Sequence, residues 1–371
     1  MRSGFHRPEL DILRFFAFAL VFFCHTCSSI RGDVPAAFAS LSRMGSYGVD
    51  IFFLLSAFLI AGLLVREKER SGTINARAFY MRRILRIWPV YFVFLGVTLV
   101  LSRFTPVQFP DGAIVPMLLF YGNFWIMLHG SFSPGGILWS VSVEEQFYLM
   151  SPLATRFLSR NGLIVLCGLL ILAAIVARVA LSAFVDPGDL WFCTLTRLDP
   201  IAIGILVCLL LNGRAPAFGP AVRIGLLLLG VLCLFVAAVP FHGADPDLSP
   251  LEATLAYPIA DIGALSVFLA VLGAPIAWRP LVYLGQISYG LYVYHLFALD
   301  VAKVGILHAT GTCPFWLRGA IGLALTVPLA AVSYKWLEMP FLRLKERFSP
   351  DAPHPAAIRL FEEEGRSPAS G

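Results

Sequence analysis

Stretches of about 20 apolar residues, each long enough to cross a hydrocarbon layer about 30 Å thick, recur along almost the whole chain. They fall near 9–30, 46–65, 79–101, 137–158, 162–184, 193–211, 222–240, 254–275, 283–304 and 316–337, which makes about ten spans. Each is a continuous run rich in Leu, Val, Ala and Phe. Barrel strands need short alternating segments instead, so the expected fold is all-α, a polytopic transmembrane helix bundle. Composition agrees. Only 14% of the residues are charged and 58% are hydrophobic, whereas a soluble domain carries about 25% charged residues. No water-soluble core of this size could hide that much apolar surface. The first run contains Asp11, Arg14 and His25 and has no small-residue cleavage site, so it reads as a retained helix rather than a signal peptide. Several cysteines, among them Cys24, Cys167, Cys208 and Cys233, lie inside apolar runs as small hydrophobes, and no disulfide framework is implied.

The basic residues set an orientation. The segment from Arg66 to Arg86 is the most basic of the chain and belongs on the cytoplasmic side. A further apolar run at 113–128 is short. If it does not cross, Arg156, Arg160, Arg214, Arg223, Arg279, Arg343 and Lys345 all fall inside, and the acidic loops near 185 and 243 fall outside. Counting it as a crossing reverses every one of these. It is therefore read as re-entrant or interfacial, with both termini cytoplasmic. Basic loops of this kind need no nucleic-acid partner. One membrane domain is expected over 1–348, followed by a Pro-rich, charged tail at 349–371 that is expected to be disordered.

A charge at mid-bilayer costs about 2.5 to 3.5 kcal/mol on insertion scales, so one that persists needs a partner or a task. The first run holds the most informative set. Arg14 and His25 are eleven positions apart, about 16 Å of rise and close to three whole turns. Asp11, Arg14, Phe18, Phe22 and His25 thus form one stripe that ends in an imidazole. Taken alone, such a stripe fits a snorkelling arginine and a packed, hydrogen-bonded histidine equally well.

The stripe is joined by further motifs: "GVDIFFLLSAFLI" with Asp50 and Ser56, "RRILRIWPVYF" with Arg82, Arg83, Arg86 and Pro89, and "LWSVSVEEQFYLMSP" with Trp139, Ser140, Glu144, Tyr148 and Pro152. "TRLDPIAIGILV" with Arg197 and Asp199, "ISYGLYVYHL" with Tyr292 and His295, and "LEMP" with Glu338 and Pro340 follow. In this order they resemble the bacterial membrane acyltransferase family 3, the O-acyltransferases of surface glycans. Ala57 departs from the glycine that the family usually shows after the serine. No counterpart is seen to the extracytoplasmic hydrolase-like domain that some members append.

The resemblance implies a cytoplasmic acyl-CoA donor, usually acetyl-CoA, a glycan or glycolipid acceptor, and residence in a bacterial inner membrane. Arg82, Arg83 and Arg86 would hold the nucleotide phosphates, since guanidinium groups bind phosphate in forked pairs. Positions 82 and 86, or 83 and 86, project from one helical face. Arg14 would line the path of the pantetheine arm. His25 is the expected general base, oriented by Asp50 or by Glu144, because imidazole suits proton removal from a hydroxyl near neutral pH. Glu145, about 100° around the helix from Glu144, is expected to be structural. His295 is expected to be a core histidine at least as readily as a catalytic one. The Cys24, His25 and Cys27 cluster makes a poor zinc site, and no metal is expected. The competing reading is a transporter or flippase of a glycan-export system, with the buried charges as a relay. It calls for inverted repeats and matched helix breaks, neither of which is clear in the sequence.

Overall fold

The computed structural model describes residues 7–28, 34–104, 109–241, 249–345 and 348. The tail at 349–371, expected to be disordered, lies outside the described residues. Among these residues the chain is all helical, with no strand. The helices are α1 (Pro8–Ser28), α2 (Ala36–Ser46), α3 (Gly48–Ser71), α4 (Ala76–Phe104), α5 (Ile114–Leu118), α6 (Gly122–His129), α7 (Trp139–Phe157) and α8 (Arg160–Leu181). They continue as α9 (Leu198–Leu210), α10 (Pro220–Ala238), α11 (Pro250–Val271), α12 (Arg279–Gln286), α13 (Ser288–Thr310), α14 (Phe315–Ser333) and α15 (Met339–Lys345).

Among the described residues, eight helical segments are long and apolar enough to cross a membrane. The other two apolar runs of the sequence are helices of a different kind. α9 has 13 residues, about 20 Å of rise and so less than the hydrocarbon thickness. α7 has the length but carries Glu144, Glu145 and Arg156. The short run at 113–128 splits into α5 and α6 at Phe120, which adopts a left-handed φ of 55°. Neither half is long enough to span. α3 outruns its apolar stretch: the charged segment 66–70 continues the helix until Gly72, whose φ of 71° supplies a left-handed cap.

α1 lies at the centre of the bundle and touches α2, α3, α11, α12, α13 and α14. Two glycines allow this. A Cβ at Gly48 would overlap the Ala17 carbonyl, and one at Gly285 would overlap the Asp11 carbonyl. Backbone therefore meets backbone on two sides of α1, the small-residue packing that membrane helices use in place of a hydrophobic drive between them. α3, α8 and α9 are joined by buried charge. Arg197 pairs with Asp50, and Arg178 Nη2 donates to Asp199 Oδ2 at 2.6 Å. The Arg197 guanidinium also stacks 4.1 Å from the Trp191 ring centre and 5.0 Å from that of Tyr257.

Candidate active site

The arginine end of α1 opens into a cavity of about 260 Å³. Arg14 from α1 and Arg83 and Arg86 from α4 line it. Residues 83 and 86 are three apart and share a helical face, which is why both reach the same space. Their guanidinium groups are poorly satisfied by protein. Arg86 has no hydrogen bond or ion pair within the described residues, and the buried Arg83 Nε has no hydrogen-bond partner. Arg83 rests on aromatic faces, 5.8 Å from Phe79 and 5.9 Å from Tyr148. Arg14 Nη1 donates to Asp11 Oδ1 at 3.1 Å. Three cations around one cavity, two of them with unmet donors, form a site for an anion.

Arg82 does not belong to this set. Its Nη1 donates to the Phe348 carbonyl at 2.6 Å and its Nη2 pairs with Glu67 at 3.4 Å. Of the two helical pairings open in the sequence, the structure brings 83 and 86 to the cavity. Position 82 is turned about 100° from 83 and faces the end of α3 instead.

The opposite wall is polar and comes from α3 and α7. Glu144 Oε1 accepts from the Ser56 hydroxyl at 2.7 Å, and Tyr148 lies one turn further on. Glu145 faces elsewhere, its Oε2 accepting from Trp88 Nε1 at 3.2 Å, as its angular offset on the helix requires. Ser140 and Tyr292 of α13, whose hydroxyls are 2.7 Å apart, also line the cavity.

His25 lies three turns away from Arg14 on α1, and it is not part of the cavity wall. Its Nδ1 is 2.9 Å from Nε2 of His295, which is fully buried on α13. Neither expected carboxylate is the partner. Asp50 Oδ1 is taken by Arg197 and its Oδ2 has no hydrogen bond, while Glu144 is engaged at the cavity. In this structure His25 Nδ1 meets an imidazole that arrives from 270 residues away, where a carboxylate was expected. The rings of Phe18, Phe22 and Tyr292 surround His295 at 5.8, 6.2 and 5.7 Å between centres. Tyr292 thus faces the cavity and the histidine pair at once.

With both rings neutral, the hydrogen-bond partners assign which nitrogens carry protons. His295 Nδ1 lies 2.6 Å from the Tyr292 carbonyl, which can only accept. His295 Nδ1 must then be protonated, so its Nε2 in the neutral ring is an acceptor. The proton between the rings belongs to His25 Nδ1, and the lone pair of His25 is on Nε2. One further group was missed in the sequence. Arg318 of α14, fully buried, donates through Nη1 to the carbonyls of His25 and Thr26 at 3.0 Å each. The signal was an arginine within an apolar run, which needs internal partners.

Along the one central helix α1, then, a cationic cavity stands at one end and a histidine pair at the other. A family model described as an acyltransferase domain matches residues 7–335, so the chain belongs to that acyltransferase family, the one its motifs resemble. Peptidoglycan O-acetyltransferase OatA of Listeria monocytogenes is 26% identical over 325 residues, 81% of this chain and 52% of the relative. YrhL of Bacillus subtilis, which carries a provisional peptidoglycan O-acetyltransferase name, is 29% identical over 375 residues, 91% of this chain and 56% of the relative. The chain spans about half the length of these curated relatives. No solved structure matches.

Proposed function

We propose that this chain is an O-acyltransferase of a bacterial inner membrane that moves an acyl group, acetyl first of all, from acyl-CoA to a hydroxyl of a glycan. Peptidoglycan is the first acceptor to test, because the relatives named above carry that substrate in their names. The observation that carries the reading is the arrangement along α1. Guanidinium groups with unmet donors stand at one end, and a histidine of defined tautomer stands about 16 Å away by helix rise at the other.

The donor's phosphates sit against Arg83 and Arg86, with Arg14 along its arm. Its thioester reaches past Tyr292 towards His25. The acceptor hydroxyl then attacks the thioester carbonyl carbon while His25 Nε2 takes the hydroxyl proton. The C–S bond breaks, the acyl oxygen ester forms, and the departing thiolate collects the proton from the imidazolium. His295 accepts from Nδ1 throughout and so holds the base nitrogen towards the substrates, the part a carboxylate plays in other triads. The basic segment at 66–86 and the cationic cavity share one side of the bundle, which supports donor entry from the cytoplasm with both termini on that side.

The test uses the protein in nanodiscs with radiolabelled acetyl-CoA and peptidoglycan fragments. His25→Ala is expected to lower transfer by about 100-fold to 10,000-fold, the usual share of a general base, with donor binding retained. Undiminished transfer by a folded His25→Ala protein refutes the site.

A further inference from the structure

We infer that Arg318 is a positioning residue for acyl transfer, acting through the main chain of His25. The inference rests on the reading of His25 as the base. Arg318 lies near the start of α14, where that helix meets both α1 and α13. Its Nη1 bonds the carbonyls of His25 and Thr26, in the last turn of α1, where carbonyls have no partner further along the helix. Its Nε donates to the Leu299 carbonyl of α13 at 3.3 Å, one turn beyond His295. Its Nη2 is 3.9 Å from Asp300 Oδ1. A single planar group therefore holds the two backbones that carry His25 and His295, and sets the spacing between their rings.

The packing around Arg318 points the same way. A Cβ at Gly319 would lie 2.8 Å from Thr26 Cγ2, and one at Gly322 would lie 2.5 Å from Leu299 Cδ2. α14 is seated against both helices by these two glycines, so the guanidinium has little room to drift. Asp300 in turn accepts from Ser133 Oγ at 2.5 Å, which links the clamp to the loop after α6. Arg318 touches neither ring. Its effect on chemistry passes through the position of the His25 main chain, and with it the bond that fixes the His25 tautomer.

Steady-state kinetics on the full chain in nanodiscs test this, with Arg318→Met, Arg318→Lys and Gly319→Ala beside His25→Ala. Arg318→Met is expected to lower kcat about 100-fold, the cost of displacing a reacting group by about 1 Å, with donor KM within about two-fold of wild type. Lysine, which can still donate to the carbonyls, is expected to recover at least about ten-fold of that loss. Gly319→Ala, which keeps the charge but wedges α14 off Thr26, is expected to lower kcat with KM unchanged, and it stands in if Arg318→Met does not fold. In protein labelled with 15N-histidine, the wild-type His25 ring is expected to show Nδ1 protonated, and the Arg318→Met ring a mixture of tautomers.

A kcat within about three-fold of wild type in folded Arg318→Met overturns the inference, as does a lysine variant no better than methionine. A kcat loss with the His25 tautomer unchanged also overturns it. Were His25→Ala fully active, the assignment of the base itself would fall. A dead His25→Ala beside an active Arg318→Met removes the clamp alone.

Discussion

Three arginines within five positions of α4 look interchangeable in the sequence and have separate surroundings in the structure. Arg83 and Arg86 face the cavity, whereas Arg82 is engaged by Glu67 and the Phe348 carbonyl. If the cavity holds the donor phosphates, Arg86→Ala raises donor KM by about ten-fold or more, since a hydrogen bond to a charged group contributes about 1.5 to 3 kcal/mol. Arg82→Ala leaves donor KM within about two-fold. Equal effects of the two changes in a transfer assay would move the phosphate site off the cavity. What could be read at this scale from the sequence was the residue type and the depth. Helical periodicity placed Arg14 and His25 on one face, and an apolar setting made each charge notable. The partners were not readable. His295 is 270 residues from His25, and Arg197 is 147 from Asp50. Nothing local in either segment encodes which distant helix arrives beside it. Asp50 shared the expected depth of His25, and depth alone could not show that an arginine of the α9 region had already claimed it.

Among the elements, α1 has the tightest surroundings. Its neighbours approach to backbone contact where glycine allows it, so added methyl groups there should be felt. Gly285→Ala forces its Cβ into the Asp11 carbonyl, and overpacking of this kind costs about 1 to 3 kcal/mol. Gly96→Ala in α4 meets nothing within 4 Å, and removing a helix-interior glycine stabilises by about 0.5 to 1 kcal/mol. Melting of the two variants in one detergent should therefore shift in opposite directions, and a shared direction would contradict the packing described for α1. The long helices were legible from apolar run length, whereas the shorter α2, α12 and α15, which carry no long apolar run of their own, were not. Helix ends were less legible, because α3 continues through charged residues that no longer need the membrane, and α9 stops short of a full span. The break at Phe120, a left-handed phenylalanine two residues before Gly122, was legible only as an apolar run too short to cross.

Over the whole molecule, α3, α8 and α9 are tied by the paired charges of Asp50 with Arg197 and Asp199 with Arg178. Removing one member of a buried pair strands the other, at a cost of about 3 to 5 kcal/mol, whereas replacing both by apolar groups is often neutral. Asp50→Leu and Arg197→Met are each expected to lower the melting temperature of the purified protein, and the double substitution is expected to restore part of the loss. A stably folded Asp50→Leu protein that has lost only transfer would return Asp50 to the chemistry. The overall class, a helical membrane bundle, was legible from the length and continuity of the apolar runs, with composition in agreement, because it depends on how apolar surface is spread along the chain and not on which residues meet.

The interval from Arg14 to His25 contains neither glycine nor proline and lies within one unbroken helix. α1 therefore acts as a ruler graduated in residues: adding or deleting one would swing the imidazole about 100° around the axis and shift it about 1.5 Å along it. If the donor is an acyl-CoA, a longer or shorter tether is not matched by adding or deleting one residue here, because the same change turns the imidazole away. On that reading a change in reach would fall to the walls that α3, α4, α7 and α13 contribute around it.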